Sequence, residues 1–490
     1  MTSFVEAARR EKLAELVKRG VVPFAYRFDR TAPIAPPLER FKDGDTTVHR
    51  LAGRLILLRS MGKTTFAHLE DRSGRIQVYF KVDDVGAEAY EVVKLLDLGD
   101  VIGVEGPLFR TKTGEVTVRV QRFTLLTKSL RPLPLGKEDA EGKRHGELSD
   151  PELRARQRYA DLAVHPEVRD VFRQRARAVG YVRSFLDARG YLEVETPVLQ
   201  PVYGGASARP FVTHYEALDT DVYLRIADEL YLKRCIVGGL EKVYEIGHDF
   251  RNEGMDRFHN PEFTMAEWYE AYADYEVMLQ LTEAMVSGMV QELFVTTTLE
   301  RHGATLDFKR PFARKDYYAL VRETAGIDLT RATEAELRAA LKRKDVADAD
   351  TFAGAKLVDE VFKSYAEPTL IQPTFVLDYP LALSPLAKLK RGDPTRVERW
   401  ELFVQKRELA NAFSELNDPD EQRRRFEQQA RLRAAGDAEA QQLDEDFIRA
   451  LEYGMPPTGG VGLGVDRLLM ILADQPHIRD VILFPMLRPE

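Results

Sequence analysis

Two spacings of hydrophobic residues divide the chain. Between about residues 46 and 127, apolar and polar residues alternate in five short runs, separated by turn sequences such as DRSG and KTGE. Alternation with a period of two, bounded by glycine-containing turns, predicts β-strands. Five such strands are typical of a small closed barrel, for which the OB-fold is the commonest candidate.

Helical spacing predominates elsewhere. Residues 3–19 predict a short amphipathic helix that stops at Gly20 and either packs on its own protein or offers a basic surface to nucleic acid. An arginine-rich helix is predicted over 153–161, and acidic, alanine-rich sequence at about 275–375 indicates a helical insertion. Strands flank the remaining motifs, so the predicted fold class is α+β around an antiparallel sheet.

Breaks in composition give four predicted segments. They are an N-terminal helix and linker (1–45), the barrel (46–130), a polar linker (131–164), and a large α+β domain (165–490) that contains the insertion. A chain of 490 residues is long enough for two or three domains.

The charge balance and the cysteine content restrict the expected binding partners and the expected cellular compartment. With 71 Lys and Arg against 79 Asp and Glu, contacts with nucleic acid have to use local basic patches. The single cysteine, Cys235, permits no internal disulfide and suits a reducing cytosol. No apolar run has the length of a membrane span or of a signal-peptide core. We therefore expect a cytoplasmic protein without a membrane segment.

Two glycine-rich runs imitate nucleotide-binding loops. Gly62-Lys63-Thr64 matches the end of a P-loop, but Leu57 stands where its first glycine belongs, and a strand is predicted to follow. GVGLGV has Val465 where a dinucleotide-binding loop needs its third glycine. We predict that the first run is a hairpin turn and that neither run is such a loop.

The stretch FRNEGMDRFHNPEFTMAEWY (250–269) predicts a nucleotide site of another kind. It combines Arg251 and Glu253 with Phe263, and GVGLGVDR near the C-terminus adds Arg467. One arginine can hold a phosphate through two hydrogen bonds, and another can lie on a base whose other face an aromatic ring covers. The alternative is a simple surface ion pair between Arg251 and Glu253.

These segments resemble the three motifs of the class II aminoacyl-tRNA synthetases. FLDARGYLEVETP (185–197) is similar to motif 1, FRNE and the residues after it to motif 2, and GLGVDR (462–467) to motif 3. PVYGGASARPF, RIADELYLKR, HNPEFTMAEWYEAYADY and NAFSELNDP resemble the bacterial lysyl-tRNA synthetases in particular. The resemblance runs from about residue 46 to 490. It implies ATP-dependent activation of L-lysine and its transfer to tRNA(Lys).

The resemblance implies an ATP site with two catalytic arginines. Arg251 is expected to bridge the α-phosphate and the substrate carboxylate, and Arg467 and Phe263 to enclose the adenine. Such a reaction depends mainly on positioning and positive charge. Phe258 stands where related chains carry arginine, and Arg257 precedes it, which leaves a phosphate contact from that side unassigned. The implied ATP-binding residues are Arg251, Asn252, Glu253, His259, Asn260, Phe263, Glu408, Gly464, Asp466 and Arg467.

Mg2+ is the implied cofactor, and the resemblance assigns Glu401 and Glu408 to it. Magnesium binds through one or two carboxylates together with substrate phosphates. The spacing of these acids also fits one solvated face of a helix, but the resemblance places Glu408 to Glu415 on a strand.

A lysine side chain needs anions around it, because a buried ammonium without a partner is very costly. The resemblance implies that Glu229 takes the α-amino group, and that Glu267, Tyr269 and Glu415 surround the ε-ammonium. Glu229 also fits an acid placed at a helix N-terminus by the helix dipole. The implied lysine-binding residues are Gly205, Glu229, Arg251, Glu267, Tyr269, Asn411, Phe413 and Glu415.

The barrel is the implied reader of the tRNA anticodon, because OB-folds often stack bases on exposed aromatic residues. The implied residues are Arg59, Phe66, Gln77 and Glu115, on the first, second and third strands and the last hairpin. Phe66 taken alone fits a core position as well.

The implied partners are tRNA(Lys), ATP and L-lysine, with a homodimer formed through motif 1. Three other functions are distinguishable from sequence. A relative that lysylates a protein would lack the barrel, and a nucleic-acid-binding protein with an inactive catalytic domain would have lost residues of the ATP site. An aspartyl or asparaginyl enzyme would offer cations, not acids, to the substrate side chain.

Overall fold

The computed structural model of the protein describes residues 4–138, 144–434 and 442–489. The chain forms two compact units, Met1–Pro166 and Glu167–Glu490. Residues 139–143, which belong to the predicted linker, lie outside the described residues. Within the described ranges, no helix has both the length and the apolar character needed to cross a membrane.

Within residues 4–138 and 144–165, the first unit contains fourteen helices and strands. The helices are α1 (Phe4–Lys18), α2 (Ala35–Arg40), α3 (Val82–Val85), α4 (Ala87–Val93), α5 (Pro151–Arg156) and α6 (Arg158–Val164). The strands are β1 (Val48–Met61), β2 (Thr64–Glu70), β3 (Arg75–Lys81), β4 (Val101–Arg110), β5 (Val116–Arg119), β6 (Arg122–Thr127), β7 (Leu135–Glu138) and β8 (Arg144–Glu147).

Five strands of this unit close into a barrel in the order β1-β2-β3-β5-β4, because β1 also pairs with β4. The β3–β5 pair is parallel, the other pairs are antiparallel, and β6 extends the sheet beside β4. The predicted OB-fold barrel is thus confirmed. The fifth predicted run is two strands, because Val120 donates to the Tyr79 carbonyl and the next residue, Gln121, to that of Glu105.

Alternation along β2 and β3 separates the barrel core from its outer face. Ala67 and Leu69 on β2 and Val78 and Phe80 on β3 are buried, and the residues between them are partly exposed. The predicted GKT turn joins β1 to β2, with Gly62 at a φ of +59°.

Two predictions for the first unit need correction. Helix α1 forms as predicted, but Val5 and Val17 are exposed, and Arg9 is buried beside Leu16 because it donates hydrogen bonds to carbonyl oxygens of Leu98 and Ser129. The predicted linker over 131–164 contains the antiparallel pair β7–β8 in addition to the predicted helical segment. That segment is two helices, α5 and α6, because the predicted single helix over 153–161 is broken at Gln157.

The second unit contains an eight-stranded sheet with helices on both faces. Its helices are α7 (Pro166–Asp187), α8 (Glu229–Val237), α9 (Tyr275–Phe294), α10 (Tyr317–Ala325), α11 (Glu334–Arg343), α12 (Gly354–Tyr365), α13 (Pro419–Ala434), α14 (Glu445–Glu452) and α15 (Val465–Leu472). Its strands are β9 (Leu192–Glu193), β10 (Leu199–Gln200), β11 (Val212–Tyr215), β12 (Thr220–Leu224), β13 (Lys242–Phe250), β14 (Glu262–Ala271), β15 (Thr298–Arg301), β16 (Ala304–Asp307), β17 (Ala313–Asp316), β18 (Thr374–Leu377), β19 (Leu389–Lys390), β20 (Asp393–Val397), β21 (Arg399–Val404), β22 (Arg407–Ser414) and β23 (Thr458–Gly464).

The sheet has the order β17-β18-β21-β22-β23-β14-β13-β9 and is antiparallel except for the pair at each edge. The predicted α+β class with an antiparallel sheet is confirmed. The predicted helical insertion at about 275–375 is only partly right, because α9 packs in the main core and β17 is an edge strand of this sheet. Strands of four residues are too short for their alternation to be recognised beside longer helices.

One face of the sheet is the core of the unit. Ala266 and Trp268 of β14, Ala410 and Ala412 of β22, and Val461 of β23 are buried against helices α7, α9 and α15. Because successive strand residues point to opposite faces, the residues between them belong to the other face.

Gly106→Ala is expected to destabilise the barrel. A Cβ at Gly106 would lie 1.9 Å from the carbonyl oxygen of Arg119, and such overpacking costs about 1–3 kcal/mol or more. Gly74→Ala is the matched control, since its nearest neighbour would be the Ala35 Cβ at 3.9 Å. Thermal unfolding of the full chain should show a lower transition for Gly106→Ala alone. Equal transitions would mean that the Arg119 backbone yields without cost.

Candidate active site

A cavity of about 820 Å³ opens on the face of the eight-stranded sheet that lies opposite the core. It brings together residues that are far apart in sequence. Of the predicted site residues, its lining includes Gly205, Glu229, Arg251, Glu253, His259, Asn260, Phe263, Glu267, Tyr269, Glu408, Asn411, Phe413, Glu415, Gly464, Asp466 and Arg467.

Strand register explains why the deepest of these residues meet. On β23, Gly462 pairs with Glu267 of β14 on one side and with Asn411 of β22 on the other. Two residues before Gly462 on β23, Gly460 pairs in the same way with Tyr269 of β14 and Phe413 of β22. The glycine strand is therefore a floor between two walls of side chains.

No side chain can be added to that floor at Gly460 without a clash. A Cβ there would lie 2.2 Å from Glu415 Oε1 and 2.3 Å from Tyr269 Cε1. At Gly462 the nearest atom would be the flexible Met265 Cε at 3.1 Å. The glycine run that fails as a dinucleotide-binding loop thus has a different use, which is close approach of polar side chains to the backbone.

The stretch 250–269 forms a β13–β14 hairpin, which places Arg251 directly after β13. The hairpin loop is closed by the Arg251 amide, which donates to the Pro261 carbonyl. The Arg251 guanidinium lies 5.0 Å from the centre of the Phe263 ring and faces the cavity. A cation and an aromatic face are therefore available side by side for a phosphate and a base.

The second predicted arginine, Arg467, is in the first turn of α15. Its guanidinium donates to the Glu408 carboxylate at 3.2 Å and lies 3.0 Å from His259 Nε2. Since His259 also contacts Asp256 through Nδ1, the hairpin loop and α15 meet through this histidine. Among the described residues, the alternative of a surface ion pair between Arg251 and Glu253 is not observed, and both residues line the cavity.

A partly buried arginine holds three elements of the site together. Arg175 on α7 donates to the Asp466 carboxylate, to Thr264 Oγ1 at 2.7 Å and to the Val481 carbonyl at 3.0 Å. The other Asp466 oxygen accepts from the Thr264 amide at 2.7 Å. Each Asp466 oxygen therefore has a protein partner, and these contacts fix α15 against β14.

The acidic end of the cavity is backed by one lysine. Lys233 on α8 is fully buried, with Nζ 2.5 Å from Glu229 Oε1 and 2.5 Å from Glu415 Oε2. Burial raises the pKa of Glu415 to about 8, while the Lys233 charge acts to lower it and the Glu229 charge to raise it.

Glu267 and Tyr269 are equally buried. The Tyr269 hydroxyl donates to Glu267 Oε2 at 3.2 Å. Burial, and then repulsion from Asp228, Asp249 and Glu229, raises the pKa of Glu267 well above its ordinary value. The end of the cavity therefore holds more carboxylate than the protein itself can neutralise.

A second acidic group lies beneath this end, around the buried Arg225. The Arg225 guanidinium is 2.8 Å from Asp228 and 2.5 Å from Glu245. Burial, followed by repulsion from Asp249, raises the pKa of Asp228. Arg225 also fills the space above Gly247, where a Cβ would lie 2.0 Å from its Nη2.

The two acids predicted for magnesium occupy neighbouring strands, β21 and β22. Glu401 is buried and accepts from the Tyr379 hydroxyl at 2.7 Å and from Arg399. Burial raises its pKa to about 7, an effect that Arg399 opposes and Glu408 increases. Carboxylates close enough to repel each other fit a divalent cation. In the described part of the chain, no three His, Cys, Asp or Glu side chains form a metal-binding group.

Of the residues predicted for ATP, lysine and Mg2+, Asn252 and Glu401 are the two that do not line the cavity. Asn252 is exposed, and its amide donates to the Arg209 carbonyl. Arg257 also lies outside the lining and donates to the Pro476 carbonyl at 2.8 Å, whereas Phe258 faces the cavity. In this structure the Arg257 side chain thus binds main chain outside the cavity lining.

In the barrel, the predicted nucleic-acid residues share one outer face. The Phe66 ring is partly exposed and lies 4.7 Å from that of Tyr79, which has Phe109 on its other side. Gln77 donates to Glu115 at 2.6 Å, and Arg59 pairs with Phe66 across β1 and β2. Since Phe66 is on the outer face, the core alternative does not hold.

Several residues of these sites were missed by the sequence analysis. Tyr79 was detectable, because it is two residues from Gln77 and so on the same strand face. Lys233 had a signal in its i, i+4 spacing from Glu229, but that spacing normally indicates a surface ion pair. Arg175 had none, since its partner Asp466 is 291 residues away.

Comparison with known proteins agrees with this geometry. The family described as tRNA synthetases class II (D, K and N) matches residues 150–488, and the OB-fold nucleic acid binding domain matches 49–126. The chain is 53% identical over 486 residues to a lysine–tRNA ligase of Moorella thermoacetica, which covers 99% of this chain and 98% of that protein. It is 50% identical to the enzyme of that name from Pelotomaculum thermopropionicum (98% and 94% covered) and 48% identical to that from Carboxydothermus hydrogenoformans (98% and 97%).

The hairpin, the glycine strand and the α15 arginine on one antiparallel sheet, with the family match over 150–488, define a class II aminoacyl-tRNA synthetase that carries an OB-fold domain. Within that class the chain belongs to the lysine–tRNA ligases, at about half identity over nearly its whole length. The resemblance stated from the motifs is confirmed.

Gly460→Ala is expected to weaken binding of the amino-acid substrate, because the new methyl group displaces Glu415 and Tyr269. Overpacking of about 1–3 kcal/mol corresponds to a rise in KM of about 5- to 150-fold. In Gly462→Ala the flexible Met265 can move aside, so a smaller rise is expected. The measurement is KM in amino-acid-dependent ATP–pyrophosphate exchange, with melting temperatures as the folding control. Equal effects of the two substitutions would show that the floor is not the constraint.

Proposed function

We propose that the cavity activates L-lysine with ATP and that the lysyl group then passes to the 3′ end of tRNA(Lys). The observation that carries this proposal is the excess of buried carboxylate contributed by Glu229, Glu267 and Glu415 to a cavity that Arg251 and Arg467 also line. A diammonium substrate relieves that excess, and an anionic side chain would increase it.

The lysine-binding roles follow from position. Glu229 and the backbone at Gly205 bind the α-amino group, and Glu267, Tyr269 and Glu415 bind the ε-ammonium. The aliphatic stem lies along the wall formed by Asn411 and Phe413. Arg399 supports that wall, because it donates to Asn411 Oδ1 at 3.0 Å and its guanidinium lies 5.5 Å from the Phe413 ring centre.

The ATP-binding roles use the hairpin and α15. Arg251 holds the α-phosphate and the lysine carboxylate in contact, which is the main requirement of this reaction. Phe263 and Arg467 enclose adenine, and Glu253 accepts from its amino group. Asn260 Oδ1 is buried without a partner among the described residues, so His259 and Asn260 are available to phosphates or to the hairpin loop.

Glu401 and Glu408 would hold Mg2+ together with the ATP phosphates. When bound, the ion neutralises phosphate charge and orients the triphosphate. Glu408 faces the cavity, and Glu401 supports it from the neighbouring strand while Arg399 and Tyr379 fix its carboxylate.

The outer barrel face, formed by Phe66, Gln77, Tyr79 and Phe109 with Arg59 and Glu115, is the proposed anticodon reader. A homodimer through motif 1 is the proposed assembly. It is supported by exposed apolar residues of this region, which are Leu192, Val198, Leu199, Val212, Tyr215 and Leu218. A cytoplasmic location is the proposed setting, in keeping with the single unpaired cysteine.

Purified protein is expected to exchange pyrophosphate into ATP with lysine and not with aspartate or asparagine, when the twenty amino acids are tested separately. Arg251→Ala should lower kcat/KM by about 10²- to 10⁴-fold, because loss of a buried charged partner costs about 3–5 kcal/mol. Arg257→Ala is the matched control and should stay within about tenfold, since Arg257 does not line the cavity. Exchange with aspartate as good as with lysine would refute the assignment of the pocket.

Phe66→Ala and Gln77→Ala are expected to spare lysine-dependent exchange, which needs no tRNA, and to weaken aminoacylation. A stacked base contributes about 1–3 kcal/mol, so the KM for tRNA should rise about 5- to 150-fold. Tyr26→Ala removes a fully exposed aromatic residue outside the barrel strands and should change neither reaction. If the two barrel variants lost exchange as severely as aminoacylation, the barrel would be a structural support and not the reader.

A further inference from the structure

Lys233 contacts both ends of the proposed lysine site from behind. Its ammonium lies 2.5 Å from Glu229, assigned to the α-amino group, and 2.5 Å from Glu415, assigned to the ε-ammonium. Lys233 itself is fully buried and does not line the cavity, whereas both acids do. The protein therefore keeps one of its own ammonium groups between the two carboxylates without obstructing the space they face.

The ionised groups at this end have a definite net charge. When the ammonium groups of a ligand hold all three acids ionised, Glu229, Glu267 and Glu415 carry three negative charges, and Lys233 offsets one of them. Two negative charges remain, which equals the number of ammonium groups on lysine. The substrate carboxylate is assigned to Arg251, outside this count. Without such a ligand, the pKa values of Glu267 and Glu415 are raised.

We propose that Lys233 is a positioning and specificity-determining residue for the amino-acid substrate, whose ammonium fixes Glu229 and Glu415 and reduces the pocket charge to that of a diammonium ligand. This inference rests on the proposed function of the cavity. The same contacts cover the Lys233 ammonium with the carboxylates of Glu229 and Glu415. An anionic substrate side chain that enters the cavity therefore meets these acids and not the Lys233 cation behind them.

Internal competition is the opposite interpretation, in which Lys233 occupies acids that the substrate needs. The placement of Glu415 argues against it. Its Oε2 faces Lys233, while Oε1 lies at the glycine floor beside Gly460. Oε2 is paired with the Lys233 ammonium at 2.5 Å, whereas Oε1 is buried without a hydrogen-bond partner among the described residues. One side of the carboxylate is therefore held by the protein, and the other is left for a ligand.

The role of Lys233 has a pH signature. Protonated Glu415 cannot neutralise an ammonium, so lysine binding should strengthen as pH rises through the Glu415 pKa of about 8. The groups facing Glu415 are Lys233 and Glu229 from α8 and Tyr269 from β14, and of these only Lys233 lowers its pKa. Asp228 and Asp249 act on Glu267 instead. Removal of the Lys233 charge should therefore move lysine binding to higher pH.

The test uses Lys233→Met, Lys233→Arg and the control Arg234→Met in the full-length protein. Arg234 is the next cation on α8, but it pairs with Asp444 and Asp446 away from the cavity. The KM values for lysine and for ATP are measured by pyrophosphate exchange from about pH 6.5 to about pH 9, on either side of the Glu415 pKa of about 8.

For Lys233→Met we expect the KM for lysine near neutral pH to rise about tenfold or more, with the ATP value unchanged. The midpoint of its pH profile should move up by roughly one unit or more, the usual effect of losing an opposite charge at this distance. Lys233→Arg should keep the midpoint, and Arg234→Met should behave like the unaltered protein.

A lower KM for lysine in Lys233→Met would establish internal competition and overturn the proposal. An unchanged KM for lysine would also overturn it. The same holds if the KM values for lysine and ATP rise equally while the midpoint of the pH profile stays in place, because a loss of packing alone would explain that result. If Lys233→Met does not fold, Lys233→Gln replaces it. If neither neutral variant folds but Lys233→Arg does, the positive charge is required for folding and not for substrate binding, which also overturns the proposal. Failure of the unaltered protein to use lysine would instead refute the proposed function.

Discussion

The catalytic unit depends on carboxylates that are buried beside too few cations. Glu229, Glu267 and Glu415 lie at the bottom of a sheet-lined cavity, and Asp228 and Asp249 lie beneath them. Taking each charge out of water costs several kcal/mol unless a partner repays it. Lys233 and Arg225 offset part of this desolvation cost. The raised pKa values of Glu267 and Glu415 indicate that the charge compensation is incomplete. Only a positively charged ligand completes it.

The eight-stranded sheet stabilises this arrangement because its two faces have different roles. One face supplies an apolar core around Trp268 and Trp400, and the other supplies the cavity. Since strand residues alternate between the two faces, Glu267 on β14 faces the cavity while its neighbours Ala266 and Trp268 are buried in the core. The Arg175 contacts to Asp466 and Thr264 then hold the α15 arginine in register with the hairpin.

Most of the fold and of the site could be predicted from the sequence because both depend on short local sequence patterns. The barrel strands, the hairpin and the glycine strand each have a short signature, and the resemblance assigned roles to the residues within them. What could not be predicted depends on burial and on distant partners. The Glu229–Lys233 pair has the spacing of a surface ion pair, and nothing in the sequence shows that Lys233 is fully buried. The acids at 401 and 408 have helical spacing but lie on two strands, because a bulge and a turn intervene. Helical spacing between 275 and 375 likewise concealed β17, whose four residues are too few to mark a strand.

The floor of the cavity has a consequence for how such a pocket can change over evolutionary time or by engineering. Gly460 and Gly462 present only main chain to the substrate, so this strand offers no side chain that could be trimmed to admit a larger amino acid. Enlargement must come from the walls, where Tyr269 and Phe413 stand opposite each other across the strand. Because Tyr269 also holds Glu267, shortening it would disturb the acid that recognises charge, and Phe413 is the residue through which substrate range can be altered with the least effect on that recognition.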